Sequence, residues 1–233
     1  MKGILVAPRI DDVTEYSLKW AQTLKENIGK RMESVPLFLA DAVRDKVEEA
    51  LTQDPGAMLI HYDHGDEDRV IGQDGNPVID LENVSLLGGR ESYNMNCLSG
   101  KTLGKAAYKK GCLAYWGYVE VVSFTSDAEQ DFCDAFNYGL LLRLEGKSWK
   151  ECLDAAKARM TEIVDDLVKR GNGLAAMCLR EDRDALHCWG NGIEEPTEEC
   201  LVSRFIVFLA GYKTLSKLRE IRCYVAHRGA TSC

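Results

Sequence analysis

Short apolar runs that alternate with amphipathic segments constrain the fold of this chain more than any other feature of its sequence. The runs have the length of buried strands, and they comprise residues 3–7, 35–40, 57–62, 93–96 and 112–122. Between the first two, apolar residues recur every three or four positions from Leu18 to Ile28, and Gly29 ends this helical pattern. Strands that alternate with helices predict an α/β fold in three α/β/α layers, with a mostly parallel central sheet and helices on both faces.

Two longer helical patterns follow in the second half of the chain. The first spans residues 128–144, and the second begins at Ser148, which together with Glu151 has the sequence of a capping box. Beyond the second helix, the apolar residues 174–179 and 185–189 predict a pair of strands.

The length of the chain suits one α/β domain with a short addition, and we place that domain at residues 1–190. Within it, residues 66–90 are polar, and Asp74-Gly75 predicts a small hairpin. The pattern changes after Gly190, so residues 191–233 are treated as a C-terminal appendage to which we assign no role.

Composition excludes several classes of partner and compartment. The net charge of −8 argues against nonspecific nucleic-acid binding, and no apolar stretch approaches the ~18 residues of a membrane helix. The first apolar run is too short for a signal peptide. Nine cysteines without any C-x-x-C spacing indicate reduced thiols and no structural zinc, so we expect a cytoplasmic protein.

Reactive side chains follow two of the predicted strands at the point where each strand ends. His64-Gly65 follows the third run, and Cys97 follows the fourth. In an open α/β sheet, sites form at the carboxyl ends of the strands, so these residues are expected to meet. An imidazole beside a thiol can generate the thiolate, and the backbone amides of Gly65 and Cys97 are candidates for an oxyanion hole.

The same segments resemble a known group of enzymes. Residues 59–65 (Leu-Ile-His-Tyr-Asp-His-Gly) and 93–100 (Tyr-Asn-Met-Asn-Cys-Leu-Ser-Gly) resemble the caspase-like, clan CD, cysteine peptidases, and within them the CHAT and gingipain type. Residues 103–118 and 132–146 are similar to the segments that follow the catalytic cysteine in CHAT proteins. The resemblance covers roughly residues 3–190.

This resemblance implies a caspase-like (caspase-hemoglobinase) fold and a cysteine endopeptidase that needs no cofactor and no metal. Cys97 would attack the scissile carbonyl, His64 would protonate the leaving amine, and the amides of Gly65 and Cys97 would hold the oxyanion. The implied partner is a protein or peptide substrate. A regulatory protein or a second copy of the chain also stays open as a partner, whereas nucleic acid and membrane are not expected.

Substrate preference does not follow from the resemblance. Relatives that cleave after basic residues often carry Asp two positions before the cysteine, and here that position is Met95. The loop after the first strand holds Asp11 and Asp12, which would form an acidic substrate pocket or would cap the first helix.

Three further residues have two alternative roles each. Asp66 would recognise a basic substrate residue or would lie in a solvated loop. Trp116 and Tyr118 would line a substrate groove or would belong to the core. His61 and His64 form an H-x-x-H pattern, but residues three apart on a strand point to opposite faces, so no metal site is expected.

Two hypotheses compete with the peptidase. The first is a caspase-like interaction or regulatory module whose dyad is misaligned or unused. The second is a flavodoxin-like domain without proteolytic activity, which would carry a small ligand and would have no histidine near Cys97.

Overall fold

The computed structural model describes residues 1–193 and contains a six-stranded sheet with helices packed on both of its faces. The strands of this sheet are β1 (Lys2–Ala7), β2 (Glu33–Phe38), β3 (Met58–Tyr62), β7 (Glu91–Met95), β8 (Ala114–Tyr118) and β9 (Leu186–Gly190). Residues 194–233 lie outside the described part, so most of the predicted appendage is not assessed.

The sheet has the order β2-β1-β3-β7-β8-β9, and only β9 runs antiparallel to its neighbour. The strand order reverses between β1 and β3, because β2 lies on one side of β1 and all later strands lie on the other. Such a reversal opens a crevice at the carboxyl ends of the two strands, and this is where α/β proteins place their sites.

The helices form two layers around the sheet. The six α-helices of the described part are α1 (Thr14–Ile28), α2 (Arg44–Gln53), α3 (Thr102–Lys109), α4 (Glu129–Leu144), α5 (Trp149–Lys169) and α6 (Gly173–Ala185). One hydrophobic cluster joins the sheet to α1, α4, α5 and α6, and a second cluster joins the opposite face to α2 and α3. The predicted three-layer α/β/α arrangement is therefore confirmed at this level.

A small three-stranded antiparallel sheet separates β3 from β7. It consists of β4 (Gly65–Asp66), β5 (Arg69–Ile71) and β6 (Pro77–Asp80), in that order. The predicted hairpin at Asp74-Gly75 joins β5 to β6, and Gly75 adopts a φ of 78° that favours glycine. We call these three strands the accessory sheet.

Two predicted elements were wrong or too long. Residues 174–179 lie in helix α6, not in a strand, because a short apolar run fits a buried helix as well as a strand. The helix begins where the Asn172 side chain accepts a hydrogen bond from the Ala175 amide. The strand predicted over residues 112–122 ends at Tyr118, and the chain then crosses the carboxyl edge of the sheet.

The predicted helix over residues 128–144 and the Ser148 capping box are both present. The Ser148 hydroxyl accepts from the Glu151 amide at 3.3 Å, and the Glu151 carboxylate accepts from the Ser148 amide at 2.8 Å. None of the helices in the described part is long and apolar enough to cross a membrane.

Substituting Gly139→Ala is expected to destabilise the fold, because α4 packs directly against the indole of Trp116. A β-carbon at Gly139 would lie 2.5 Å from that ring, which is 2 % exposed and cannot move away. We expect a loss of about 1–3 kcal/mol in the free energy of unfolding, measured by urea denaturation.

Gly173→Ala at the start of α6 is the matched control, because a β-carbon there would meet no atom within 4 Å. It should leave stability unchanged or raise it by up to about 1 kcal/mol, the helix preference of Ala over Gly. Equal effects of the two substitutions would contradict the packing described here.

Candidate active site

The register of β3 and β7 ends just before the two predicted reactive residues. These strands pair in parallel, and Tyr62 lies opposite Met95 at the end of the ladder. Two residues further along each chain are His64 and Cys97, and side chains two apart share a face. Cys97 indeed belongs to the same hydrophobic cluster as Tyr62 and Met95.

Gly65 provides independent evidence that the two strand ends are in contact. A β-carbon at Gly65 would lie 2.7 Å from the β-carbon of Asn96 and 2.8 Å from the carbonyl oxygen of Cys97. Glycine therefore allows the chain after His64 to approach the chain at Cys97 at backbone distance. The assignment of the Gly65 and Cys97 amides to an oxyanion hole stays a prediction.

His64 is held by the loop that follows β1. Its Nε2 lies 3.2 Å from Oδ2 of Asp11, and its side chain is only 15 % exposed. A carboxylate can only accept a hydrogen bond, so Nε2 carries the proton and Nδ1 has the lone pair. Burial lowers the pKa of His64 to about 4, against the opposing effect of Asp11, so the ring is neutral at pH 7 and can accept a proton.

Asp11 has two functions, of which the sequence indicated one. Its Oδ1 accepts hydrogen bonds from the amides of Val13 and Thr14, both at 2.9 Å, in the turn that leads into α1, which agrees with the capping alternative for Asp11. The contact of Oδ2 with His64 was missed by the sequence analysis. The available signal was that Asp11 and His64 follow β1 and β3, which are neighbouring strands.

The thiol of Cys97 is covered by the segment that follows β8. Cys97 is 8 % exposed, and its Sγ accepts a hydrogen bond from the Val122 amide at 3.3 Å. The Leu98 amide donates to the carbonyl of Glu120 at 3.1 Å. We call residues 119–125 the covering segment. The sequence analysis had placed the first part of it in a strand.

Several contacts hold the covering segment in place. The Val119 amide donates to the Ala185 carbonyl at 2.9 Å, and the Ser123 amide donates to Oδ1 of Asp182 at 3.0 Å. Phe124 packs edge-on against the indole of Trp20. The segment therefore lies over the thiol as a packed part of the fold.

Asp63 is an unpredicted feature of the site. Its side chain has no exposed surface, and neither carboxylate oxygen makes a hydrogen bond of good geometry within the described residues. Burial raises the pKa of Asp63 well above its usual range, and nearby Asp11 acts in the same direction. Oδ1 of this buried carboxyl group lies 3.9 Å from Nδ1 of His64.

His61 faces away from the predicted dyad, and both of its ring nitrogens contact neighbouring polar groups. Its Nε2 lies 3.0 Å from the carbonyl oxygen of Ile71, and its Nδ1 lies 2.9 Å from the side-chain nitrogen of Asn96. Burial lowers the pKa of His61 to about 4. Within residues 1–193, no group of three or more His, Cys, Asp or Glu side chains is arranged to hold a metal ion.

The remaining predicted site residues do not line an open groove together. Trp116 and Tyr118 are each 2 % exposed in the core, so the substrate-groove role is wrong and the core alternative is correct. Asp66 accepts a hydrogen bond from the adjacent Glu67 amide at 2.8 Å. Asp12 is exposed beside Asp11. Substrate binding by Asp66, Asp11 or Asp12 stays a prediction.

The candidate site therefore consists of the Cys97 thiol, the neutral His64 imidazole and the Asp11 carboxylate, which follow three neighbouring strands, with the buried Asp63 carboxyl group near His64. No protein family, curated protein or solved structure matches the chain in comparisons with known proteins. The chemistry of the site rests on its geometry and on the sequence pattern.

Replacing Asp11 by Asn should lower the pKa of His64 further, because the Asp11 charge favours the imidazolium. The measurement is an NMR titration of the histidine rings, with His64 assigned from the His64→Gln spectrum. Asp74→Asn is the control, since Asp74 also holds a turn by accepting an amide two residues on but lies on the accessory hairpin. An unchanged His64 titration in Asp11→Asn would contradict the contact.

Proposed function

We propose that this chain is a cysteine endopeptidase of the caspase-like kind, with Cys97 as nucleophile, His64 as general acid and base, and Asp11 as the group that orients His64. One observation carries the proposal. The paired register of β3 and β7 ends at Tyr62 and Met95, two residues before His64 and Cys97, while Nε2 of the imidazole contacts Asp11 at 3.2 Å. This is the order of groups that activates a thiol.

The reaction follows from the protonation states of the site. His64 is neutral, so its Nδ1 takes the proton of the Cys97 thiol as Sγ attacks the scissile carbonyl. The imidazolium, stabilised by Asp11, then gives the proton to the leaving amine, and a thioester remains. Water attacks the thioester with His64 again as the base, which releases the carboxylate product and restores the thiol.

The architecture agrees with what the sequence resemblance implies. A mostly parallel six-stranded sheet with helices on both faces is the arrangement expected of a caspase-like domain. Cys112, Cys133, Cys152 and Cys188 are buried thiols, which agrees with a protein that works in a reducing compartment. The proposed partner is therefore an intracellular protein or peptide substrate.

The covering segment favours a second candidate, a caspase-like module that does not cleave. A substrate carbonyl must reach Sγ of Cys97, and the Val122 amide occupies one side of that sulfur. An active enzyme must therefore move the covering segment when substrate binds, or when a regulatory partner or a second copy of the chain binds first. A silent module would keep the segment closed.

A peptide-library cleavage assay separates the two candidates. The peptidase predicts cleavage by the wild type, none by Cys97→Ala, and a loss of about 10²- to 10⁴-fold in kcat for His64→Ala. Cys112→Ala is the matched control, because Cys112 is also a buried cysteine, and its Sγ donates to the Arg90 and Ala114 carbonyls away from the candidate site. Cleavage that survives Cys97→Ala would overturn the assignment, and a wild type that cleaves nothing would favour the silent module.

Thiol labelling checks the nucleophile without any substrate. Iodoacetamide should modify Cys97 before Cys112, because burial raises the pKa of the Cys112 thiol to about 12 and keeps it protonated. Mass spectrometry of tryptic peptides after short reaction times gives the two rates. Equal rates, or faster labelling of Cys112, would remove the case for an activated thiol at Cys97.

A further inference from the structure

We infer that Asn96 is a positioning residue that holds the peptide units of His64 and Cys97 at their reactive spacing, an inference that rests on the proposed function. Asn96 directly precedes Cys97, and Asp63 directly precedes His64. Nδ2 of Asn96 donates to the carbonyl oxygen of Asp63 at 2.8 Å. One side chain therefore joins the two chains at the residues before the dyad.

The Asn96–Asp63 hydrogen bond lies directly after the last paired residues of β3 and β7. The paired register of β3 and β7 stops at Tyr62 and Met95. The next positions are Asp63 and Asn96, where the Asn96 amide bridges the two chains. The strand ends of an open sheet would otherwise be free to separate at the point where the reactive side chains begin.

The orientation of the Asn96 amide is determined by its neighbours. A carbonyl oxygen only accepts, so Nε2 of His61 must donate to the Ile71 carbonyl at 3.0 Å. Burial lowers the pKa of His61 to about 4, so at pH 7 the ring is neutral and its Nδ1 is an acceptor. Asn96 therefore faces two acceptors, His61 Nδ1 and the Asp63 carbonyl, and only its NH₂ group satisfies both.

The same network extends the connection to a third element. Ile71 belongs to β5, so His61 ties the Asn96 amide to the accessory sheet. The side chains of Asn96 and His61, which are 1 % and 0 % exposed, thus join the ends of β3 and β7 to β5. Hydrogen bonds between neutral groups in such dry surroundings are directional, and they keep the strand ends in one arrangement.

Burying the Asn96 side chain costs free energy of folding, so a contribution to stability alone does not explain why this residue is present. Its Oδ1 is buried and has no hydrogen-bond partner among the described residues. A buried amide oxygen without a partner is unfavourable, and an apolar residue would avoid that cost. In folded proteins, unfavourable arrangements of this kind are found most often at functional sites.

Asn94 offers a matched control on the same strand. Like Asn96 it is 1 % exposed, and its Nδ2 donates two hydrogen bonds, to the Ser92 hydroxyl and to the Trp116 carbonyl. It lies two residues further from the reactive end than Asn96. Asn94→Ala and Asn96→Ala therefore remove the same groups from equally buried places, and only the second removes the bridge to Asp63.

The experiment measures the second-order rate of Cys97 alkylation by iodoacetamide from pH 5 to 10 in the full chain, together with kcat and KM for a peptide found by the library assay. Asn96→Ala should slow alkylation at pH 7 by about tenfold or more and move its pH midpoint towards that of an ordinary thiol, about 8.5. It should lower kcat more than it raises KM. Asn96→Asp places a carboxylate oxygen against two acceptors, His61 Nδ1 and the Asp63 carbonyl. It should therefore reduce the alkylation rate and kcat at least as much as Asn96→Ala.

Urea denaturation of each variant separates positioning from folding. If Asn96→Ala and Asn94→Ala lose similar stability but only Asn96→Ala changes the alkylation profile, the positioning role is supported. If alkylation is fast in the wild type and unchanged in Asn96→Ala, the inference is overturned while the dyad stands. Wild-type alkylation no faster than that of an ordinary thiol would instead overturn the proposed dyad.

Discussion

The parallel pairing of β3 with β7 is the constraint on which every feature of the candidate site depends. Side chains alternate across a sheet, so a slip of one residue would move His64 to the face opposite Cys97. The apolar residues of β3 and β7 oppose such a slip, because they would exchange one hydrophobic cluster for the other. The register that buries the core is therefore the register that assembles the site.

Beyond the ends of these strands, buried polar groups replace apolar ones. Asp63 and Asn96 are almost fully buried at this edge, as is His61 near the end of β3, and burial lowers the pKa of His61 to about 4 and raises the pKa of Asp63 well above its usual range. Two polar atoms of Asp63 and one of Asn96 find no hydrogen-bond partner among the described residues. These three atoms lie just beyond the carboxyl ends of β3 and β7, and this location agrees with a functional role for the edge.

The sequence predicted strands and helix starts best where the pattern involves residues close together in the chain. Apolar runs located the strands, and the Ser148 capping box located the start of α5, because both depend on residues close in the chain. The run at residues 174–179 misled because it suits a buried helix as well as a strand. The roles of Trp116 and Tyr118 stayed ambiguous because aromatic residues after a site motif pack into cores as readily as they line grooves.

By itself, the sequence determined the α/β class and the strands after which His64 and Cys97 follow, and it left open whether Asp11 or Asp12 forms a substrate pocket or caps the first helix. Only the tertiary structure decided that Asp11 also contacts His64, that Val122 lies over the thiol and that Asn96 joins the two strand ends. These contacts join residues 25 to 53 positions apart. They depend on strand order and on the path of the covering segment, which no local periodicity encodes, because long-range packing alone brings those residues together.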